Sequence, residues 1–283
     1  MTGMAAQHSQ GDGYPFTDAH FETLRKLVGE ITGISLSDHK RDLLYGRLTR
    51  RLRALRLQSF DQYIQLLTTN PGDEMQNFIN AVTTNLTSFF RENHHFEFLA
   101  KELFPQLEKE GRVRGLRIWS AGCSTGEEPY SIAMTVREYF QNAESLDIKI
   151  FASDLDTNVV QTAANGIYDA SRVEGLDPAR VKQWFQRGSG ANAGKVRVRR
   201  DLANLITFSQ LNLMQPWPMN SMFDVVFCRN VVIYFDKPTQ SVLFNNFANV
   251  IKPGSHLIIG HSETLHKVCD RFELIGKTIY RKL

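Results

Sequence analysis

The residues best suited to chemistry lie in one run, 117–131, which reads RIWSAGCSTGEEPYS. An apolar segment with Ile118 and Trp119 leads into a loop of small residues, Gly122, Cys123, Ser124, Thr125 and Gly126. The chain leaves that loop through two carboxylates, Glu127 and Glu128, and through Pro129, which suits the first turn of a helix. Strand, glycine loop and helix, in that order, let a cofactor approach the backbone at the carboxyl end of a first parallel strand, with Gly122 among the residues it would touch. A loop built for phosphate would present bare amides and a lysine, as in GxxxxGK(S/T). Two acids at this place repel a pyrophosphate and suit a cationic group, an ammonium or a sulfonium. The run therefore points to S-adenosylmethionine.

The strand ends supply the rest of a ligand crevice. DIKIFASDLD (147–156) alternates apolar residues and ends in acid, the pattern of a second parallel strand with a carboxylate at its tip for a ribose diol. Asp154 and Asp156 both qualify, and Asp154, nearer the strand end, is preferred. LITFSQLNL (205–213) and FDVVFCRNVVIYFD (223–236) read as a third and a fourth strand whose apolar residues are buried. Their polar ends, Asn212, Arg229 and Asn230, face the crevice in such an architecture. Cys123, Cys228 and Cys269 show no ligand or disulfide spacing, so no metal is expected. His94 and His95, beside Arg91 but without a paired carboxylate motif, read as packing or exposed polar residues.

Longer stretches carry a family resemblance. They are TTNLTSFFRENHHF (83–96), AGCSTGEEPYSIA (121–133), FASDLDTNVV (151–160), KVRVRRDLANLITFSQLNL (195–213), FDVVFCRNVVIYFD and GHSETL (260–265). With them the chain resembles the CheR-type chemotaxis receptor glutamate methyltransferases, from about Phe16 to the C-terminus; TTNLTSFFRE and CRNVVIYF are the specific matches. The resemblance implies an α/β fold, a Rossmann-like doubly wound sheet with a small all-helical N-terminal domain and an inserted antiparallel β-subdomain. It implies methyl transfer from S-adenosylmethionine to glutamate carboxylates in the cytoplasmic domain of methyl-accepting receptors, with S-adenosylhomocysteine as product. The contacts it implies run from Asn85, Thr87 and Arg91 to the amino acid end of the cofactor, and from Glu127 or Glu128, the choice left open, to the ammonium. Asp154 takes the ribose, Asn212 and Leu213 the adenine edge, and Arg229 and Asn230 the side of the fourth strand. Arg91 and Tyr234 are expected to border the reacting methyl. A carboxylate is ionised at neutral pH, so the reaction needs alignment and dehydration rather than a general base. An arginine can orient it with two bonds, and Tyr234 can place its oxygen or wall the methyl. The fourth strand lacks the (Asp/Asn)-Pro-Pro-Tyr tip of amine-directed methyltransferases, which argues against a nitrogen acceptor.

The elements that must position these groups follow. With 283 residues, 42% hydrophobic and 22% charged, the chain is an ordinary globular sequence of one or two domains. Residues 1–15 read as a flexible tail, 16–84 as the helical domain and 85–283 as the methyltransferase domain, with the insertion at about 166–205. Helices are expected near 17–32, with Thr17 as cap, and near 37–55, 59–68 and 72–82. No apolar run suggests a span or a signal peptide, so a cytoplasmic protein without membrane insertion is expected. A monomer is expected as well. Within KRDLLYGRLTRRLRALR (40–56), Leu44, Leu48, Leu52 and Leu55 recur at helical spacing beneath Lys40, Arg41, Arg47, Arg50, Arg51, Arg53 and Arg56, a basic outer face. Such runs are usually solvated, and a nucleic-acid partner would want more aromatics than Tyr45. The resemblance favours docking of an acidic receptor helix, with Arg50 and Arg53 as contacts. In the insertion, GSGANAG (188–194) and KVRVRR, where Val196 and Val198 alternate with Arg197 and Arg199, read as a half-exposed hairpin. By resemblance it takes a receptor C-terminal peptide on an edge near Val196 and Val198, with Arg197 or Arg199 meeting an acid. Methylation of RNA or a small molecule, and a non-catalytic adaptor, are the rival readings.

Overall fold

Helical spacing of leucines and alternating apolar strands segregate along the chain, and the structure segregates with them. The computed structural model describes residues 13–143, 145–219 and 222–283, so the expected tail lies, up to residue 12, outside the described residues. Two compact units result, one of residues up to 31 with 35–82, the other of 32–34 with 83–283.

The first unit holds α1 (Asp18–Thr32) but for its last residue, α2 (Arg41–Leu55), α3 (Phe60–Thr69) and α4 (Glu74–Val82). Hydroxyl caps start two of them: Thr17 Oγ1 accepts from His20 N, and Ser59 Oγ from Gln62 N, both at 3.2 Å. Leu24, Leu44, Leu48, Leu52, Phe60 and Phe78 fill the core, and Tyr14 meets Phe60 edge-on. Arg51 binds Glu74 with two bonds (Nε–Oε1 2.9 Å, Nη2–Oε2 2.5 Å), and the Tyr63 hydroxyl donates to the same carboxylate at 2.8 Å. Burial alone would raise Glu74; the bonds from Arg51 and Tyr63 outweigh it and hold the carboxyl below its ordinary value. The basic residues expected on the outer face of α2 divide by partner. Arg41 is turned to Asp18 and the Phe16 carbonyl, Arg47 to the carbonyls of Ala81 and Val82, and Arg51 to Glu74, because helix ends and a buried acid need donors. Arg50 and Arg53 are exposed.

The second unit begins with α5 (His94–Phe98), which runs through a π-helical turn (Leu99–Leu103) into α6 (Phe104–Lys109). It continues as β1 (Arg117–Ala121), α7 (Glu127–Tyr139), β2 (Lys149–Asp154) and α8 (Thr157–Asn165). An insertion of β3 (Ile167–Asp169), α9 (Pro178–Trp184), β4 (Phe185–Arg187) and β5 (Lys195–Val198) follows. The unit closes with α10 (Arg200–Ala203), β6 (Ile206–Gln210), β7 (Phe223–Cys228), α11 (Lys237–Val250), β8 (Ile251–Ile259), β9 (Phe272–Gly276) and β10 (Ile279–Lys282). The main sheet runs β6-β2-β1-β7-β8-β10-β9, parallel through β8 and antiparallel at β10 and β9. Its central strands are covered on both faces, which explains their unbroken apolar runs. Val225 and Phe227 of β7 point into one core with Ile132 and Ile150, while Val226 and Cys228 join Trp119, Phe244 and Leu257 in the other. The chain leaves β1 for β2 on one side and later places β7 on the other, so the sheet order switches at β1, where a crevice opens over the carboxyl ends.

The insertion forms a separate antiparallel sheet in the order β3-β5-β4. This corrects the peptide edge expected at Val196 and Val198. Both lie on the central strand, where Val196 faces Tyr168 and Arg187, and Val198 faces Phe185. The ladders on either side occupy that strand's backbone, and both valines are buried. The open edges are β3 and β4.

Candidate active site at the strand ends

The loop after β1 is stitched to β2 by its own backbone. Gly122 N and Cys123 N both donate to the Ser153 carbonyl, at 2.8 and 2.9 Å. Gly122 has φ 107°, and a Cβ there would stand 2.4 Å from Val231 Cγ2, so only glycine fits. Gly126, φ 99°, opens α7 where a Cβ would stand 2.8 Å from Ala163 Cβ and from the Tyr168 hydroxyl. Ser124 N donates to Asp154 Oδ2 at 2.8 Å, and Asp156 N to Asp154 Oδ1 at 3.0 Å. Burial pushes the Asp154 carboxyl up to about 6 against those two bonds, and the charge of Asp156 adds to the rise.

Asp156, the other ribose candidate, is committed elsewhere. Its Oδ1 caps α8 through Asn158 N at 2.9 Å, and its Oδ2 accepts from Thr83 Oγ1 at 2.7 Å and Asn85 Nδ2 at 2.8 Å. Asp156 thus ties the joining segment to β2. Glu127, with no exposed surface, accepts from Thr125 Oγ1 at 2.6 Å and pairs with Arg172. Arg172 also donates to the Thr87 carbonyl at 2.8 Å. Glu128 accepts from Ser120 Oγ at 2.7 Å and from Arg229 Nη1 at 3.0 Å; burial still raises its carboxyl.

Arg229 is the hub of the β7 side. Beyond Glu128 its guanidinium reaches the Arg91 carbonyl and stands 3.5 Å from Glu92 Oε2. The structure therefore spends Arg229 on protein partners. Asn230 adopts φ 57°, with its amide donating to Glu263 Oε2 at 3.0 Å. The amides of Gly260 (2.6 Å) and Val232 (3.0 Å) donate to the same carboxylate, so Glu263 folds the loop after β7. Glu263, Glu92, Ser120 and Arg172 have no individual role predicted from the sequence. An acid three residues after a glycine in GHSETL was the available signal for Glu263; the others carried none. Asn212 Oδ1 accepts from Met214 N at 2.9 Å, shaping the turn after β6, and Leu213 is buried. Arg91, half-buried, donates to the Leu86 carbonyl at 2.9 Å, and half-buried Tyr234 ends a 3-10 turn, Val232–Tyr234. Arg197 and Arg199 are exposed in the insertion, and Arg50 and Arg53 lie in the other unit.

The donor set fits S-adenosylmethionine. Carboxylates line the loop and the tip of β2, and the loop holds no lysine for a phosphate. Comparison with known proteins agrees. Residues 19–83 match the family model described as CheR methyltransferase, all-alpha domain, and residues 85–281 match CheR methyltransferase, SAM binding domain. The chain is 46% identical over 267 residues to the chemotaxis protein methyltransferase of Salmonella typhimurium, covering 93% of this chain and 90% of the relative. It is 46% identical over 266 residues to that of Escherichia coli, covering 93% and 91%. It is 45% identical over 268 residues to chemotaxis protein methyltransferase 2 of Pseudomonas aeruginosa, covering 94% of each. With both domain models matched in order along one chain, the protein belongs to the CheR methyltransferase family.

Proposed function

We propose that this protein is an S-adenosylmethionine-dependent glutamate O-methyltransferase acting on the cytoplasmic domain of chemotaxis receptors. The observation that carries the reading is the acid-lined glycine loop set at the switch point of the sheet, in a chain whose two domains both match the family. When bound, the cofactor supplies an electrophilic methyl on a sulfonium. Asp154 accepts hydrogen bonds from the ribose, Glu127 or Glu128 faces the ammonium, and Asn212 with Leu213 borders the adenine. Asn85, Thr87 and Arg91 hold the amino acid end. Arg229, neutralised by Glu128, grips the Arg91 carbonyl and so sets the joining segment against the loop after β7. Arg91 and Tyr234 then align a glutamate carboxylate that is already ionised, so no residue need remove a proton. An over-strong pairing with Arg91 would stabilise the ground state, and its bond to the Leu86 carbonyl tempers that pairing.

The receptor is engaged at two further places. Arg50 and Arg53 meet an acidic receptor helix, and the edge of β4 takes an extended C-terminal receptor peptide, with Arg197 or Arg199 near its acid groups. The protein works as a monomer in the cytoplasm; among its described residues no helix is long and apolar enough to cross a membrane. The test is methyl incorporation from labelled cofactor into purified receptor cytoplasmic fragments, with bulk RNA as the rival acceptor. Base-labile label on the receptor alone is the expected result. Label on RNA, or cofactor binding without transfer to any receptor fragment, would overturn the assignment.

A further inference from the structure

Methyl transfer leaves one cluster of side chains without a task. Glu92, His94 and His95 each offer a donor atom, and the three atoms lie within 4.8 Å of one another. His95 has no exposed surface, and its Nε2 stands 3.1 Å from the Lys277 carbonyl and 3.0 Å from Thr278 Oγ1. A carbonyl can only accept, so the ring proton sits on Nε2 and the lone pair on Nδ1. That Nδ1 is buried, has no hydrogen-bond partner, and lies 3.7 Å from Glu92 Oε2. His94 Nε2 is likewise buried and unpartnered, in a ring tilted 51° to that of His95 with centroids 4.0 Å apart. Two orphaned buried ring nitrogens, in histidines whose donor atoms cluster with a carboxylate, are costly as packing, since buried polar atoms ordinarily find partners. They are what a cation site requires: an imidazole locked by a carbonyl on its far nitrogen is the usual support of a metal-ligating histidine.

We propose that Glu92, His94 and His95 form a site for a divalent transition metal of the zinc class, with the neighbouring His261 as a fourth ligand. Two nitrogens and one carboxylate suit zinc, cobalt or nickel rather than calcium or magnesium, which prefer oxygen. Bonds of about 2.0–2.2 Å put tetrahedral ligands roughly 3.3 Å apart, so the Nδ1–Oε2 pair is nearly in place. His261 Nδ1 lies 2.9 Å from Glu92 Oε1 on a side chain 68% exposed, so it can turn inward to close the site and marks the way in from solvent. Arg229, 3.5 Å from Glu92, repels a dication, and the affinity is correspondingly below that of a purpose-built structural zinc. Occupancy would clasp the joining segment to the turn at 260–263 and stabilise the fold by mass action.

The full chain, stripped with EDTA, is titrated with zinc by calorimetry and with cobalt by visible absorption, and its thermal midpoint is recorded with and without zinc. One site per chain, tetrahedral cobalt bands and a zinc-dependent rise of the midpoint are expected. His94→Ala should weaken binding at least tenfold and abolish the rise, and His261→Ala should weaken binding as well, whereas His266→Ala should not. Should His94→Ala fold poorly in EDTA, His261→Ala carries the same test alone. Absence of binding, or one-to-one binding that neither His94→Ala nor His261→Ala weakens, overturns the site.

Discussion

Asp154 shows how one side chain serves both fold and ligand. Its carboxylate accepts the amides of Ser124 and Asp156, and burial lifts its pKa from 3.8 to about 6. Because the folded value is raised, its contribution to stability is full below about pH 4 and is lost as pH rises through 6. Ligand binding has the opposite sign, since ribose hydroxyls donate best to the ionised form. Affinity for S-adenosylhomocysteine should therefore fall as pH drops through 6. Asp154→Asn keeps an acceptor for one of the two amides and loses the charge; we expect it to cost about 1.5–3 kcal/mol, roughly tenfold to a hundredfold in affinity at pH 7.5, and to flatten the pH profile. Calorimetry between pH 5 and 8 checks both effects, and a variant as pH-dependent as wild type would place the titrating group elsewhere. Asp154→Ala is the poorer probe because it strips two amides of their acceptor. Nothing in the spacing of DIKIFASDLD tells which acid is free for a ligand. Asp156 is claimed by Asn85 and Thr83, 71 and 73 residues away in sequence, and only folding reveals that.

At the scale of elements, the loop after β7 depends on a single buried acid. Glu263→Ala would leave the amides of Asn230, Val232 and Gly260 without their acceptor, at about 3 kcal/mol or more in stability. Urea unfolding should show that loss, with Glu263→Gln intermediate because one acceptor oxygen remains; wild-type stability in the alanine variant would remove Glu263 from this role. The helix α2 poses a different question, since its cations divide by partner. Reversing Arg51 would break the pair with Glu74 and cost stability, whereas Arg50→Glu with Arg53→Glu should leave folding and S-adenosylhomocysteine affinity unchanged. The double variant should raise KM for receptor fragments and flatten its dependence on salt. A wild-type KM that ignores ionic strength would make α2 a solvated face.

For the whole molecule, acid stability turns on buried neutral histidines. His256 sits in β8 with its ring 5.3 Å from Phe98, and burial, with Arg281 and Arg112 adding, holds it down at about 4. The folded value lies below 6.5, so the unfolded chain binds the extra proton and stability falls as pH drops from 6.5 toward 4. His256→Phe removes that penalty. Relative to wild type it should gain on the order of 2 kcal/mol more at pH 5 than at pH 7.5, read from denaturant midpoints at the two values. An equal difference at both would mean that His256 titrates normally.

Local pattern alone determined the elements that repeat. The alternation in RIWSA and KIFASD, the leucines of α2 and the glycines at 122 and 126 each express a constraint acting within a few residues, so strand, helix and loop were legible from them. The family stretches carried the function, because a cofactor loop and its acids are contiguous in sequence. Tertiary structure decided what pairing decides. β5 lies between β3 and β4 rather than at an edge, because strand order is settled by which ladders close and not by the valines of KVRVRR. The cations of α2 divide into inward and outward groups according to acids and carbonyls on other helices. Arg229 reaches Glu128 across 101 residues, and Glu92 meets His261 across 169. Charges at such separations meet only once the hydrophobic layers have packed, and local spacing carries no record of them.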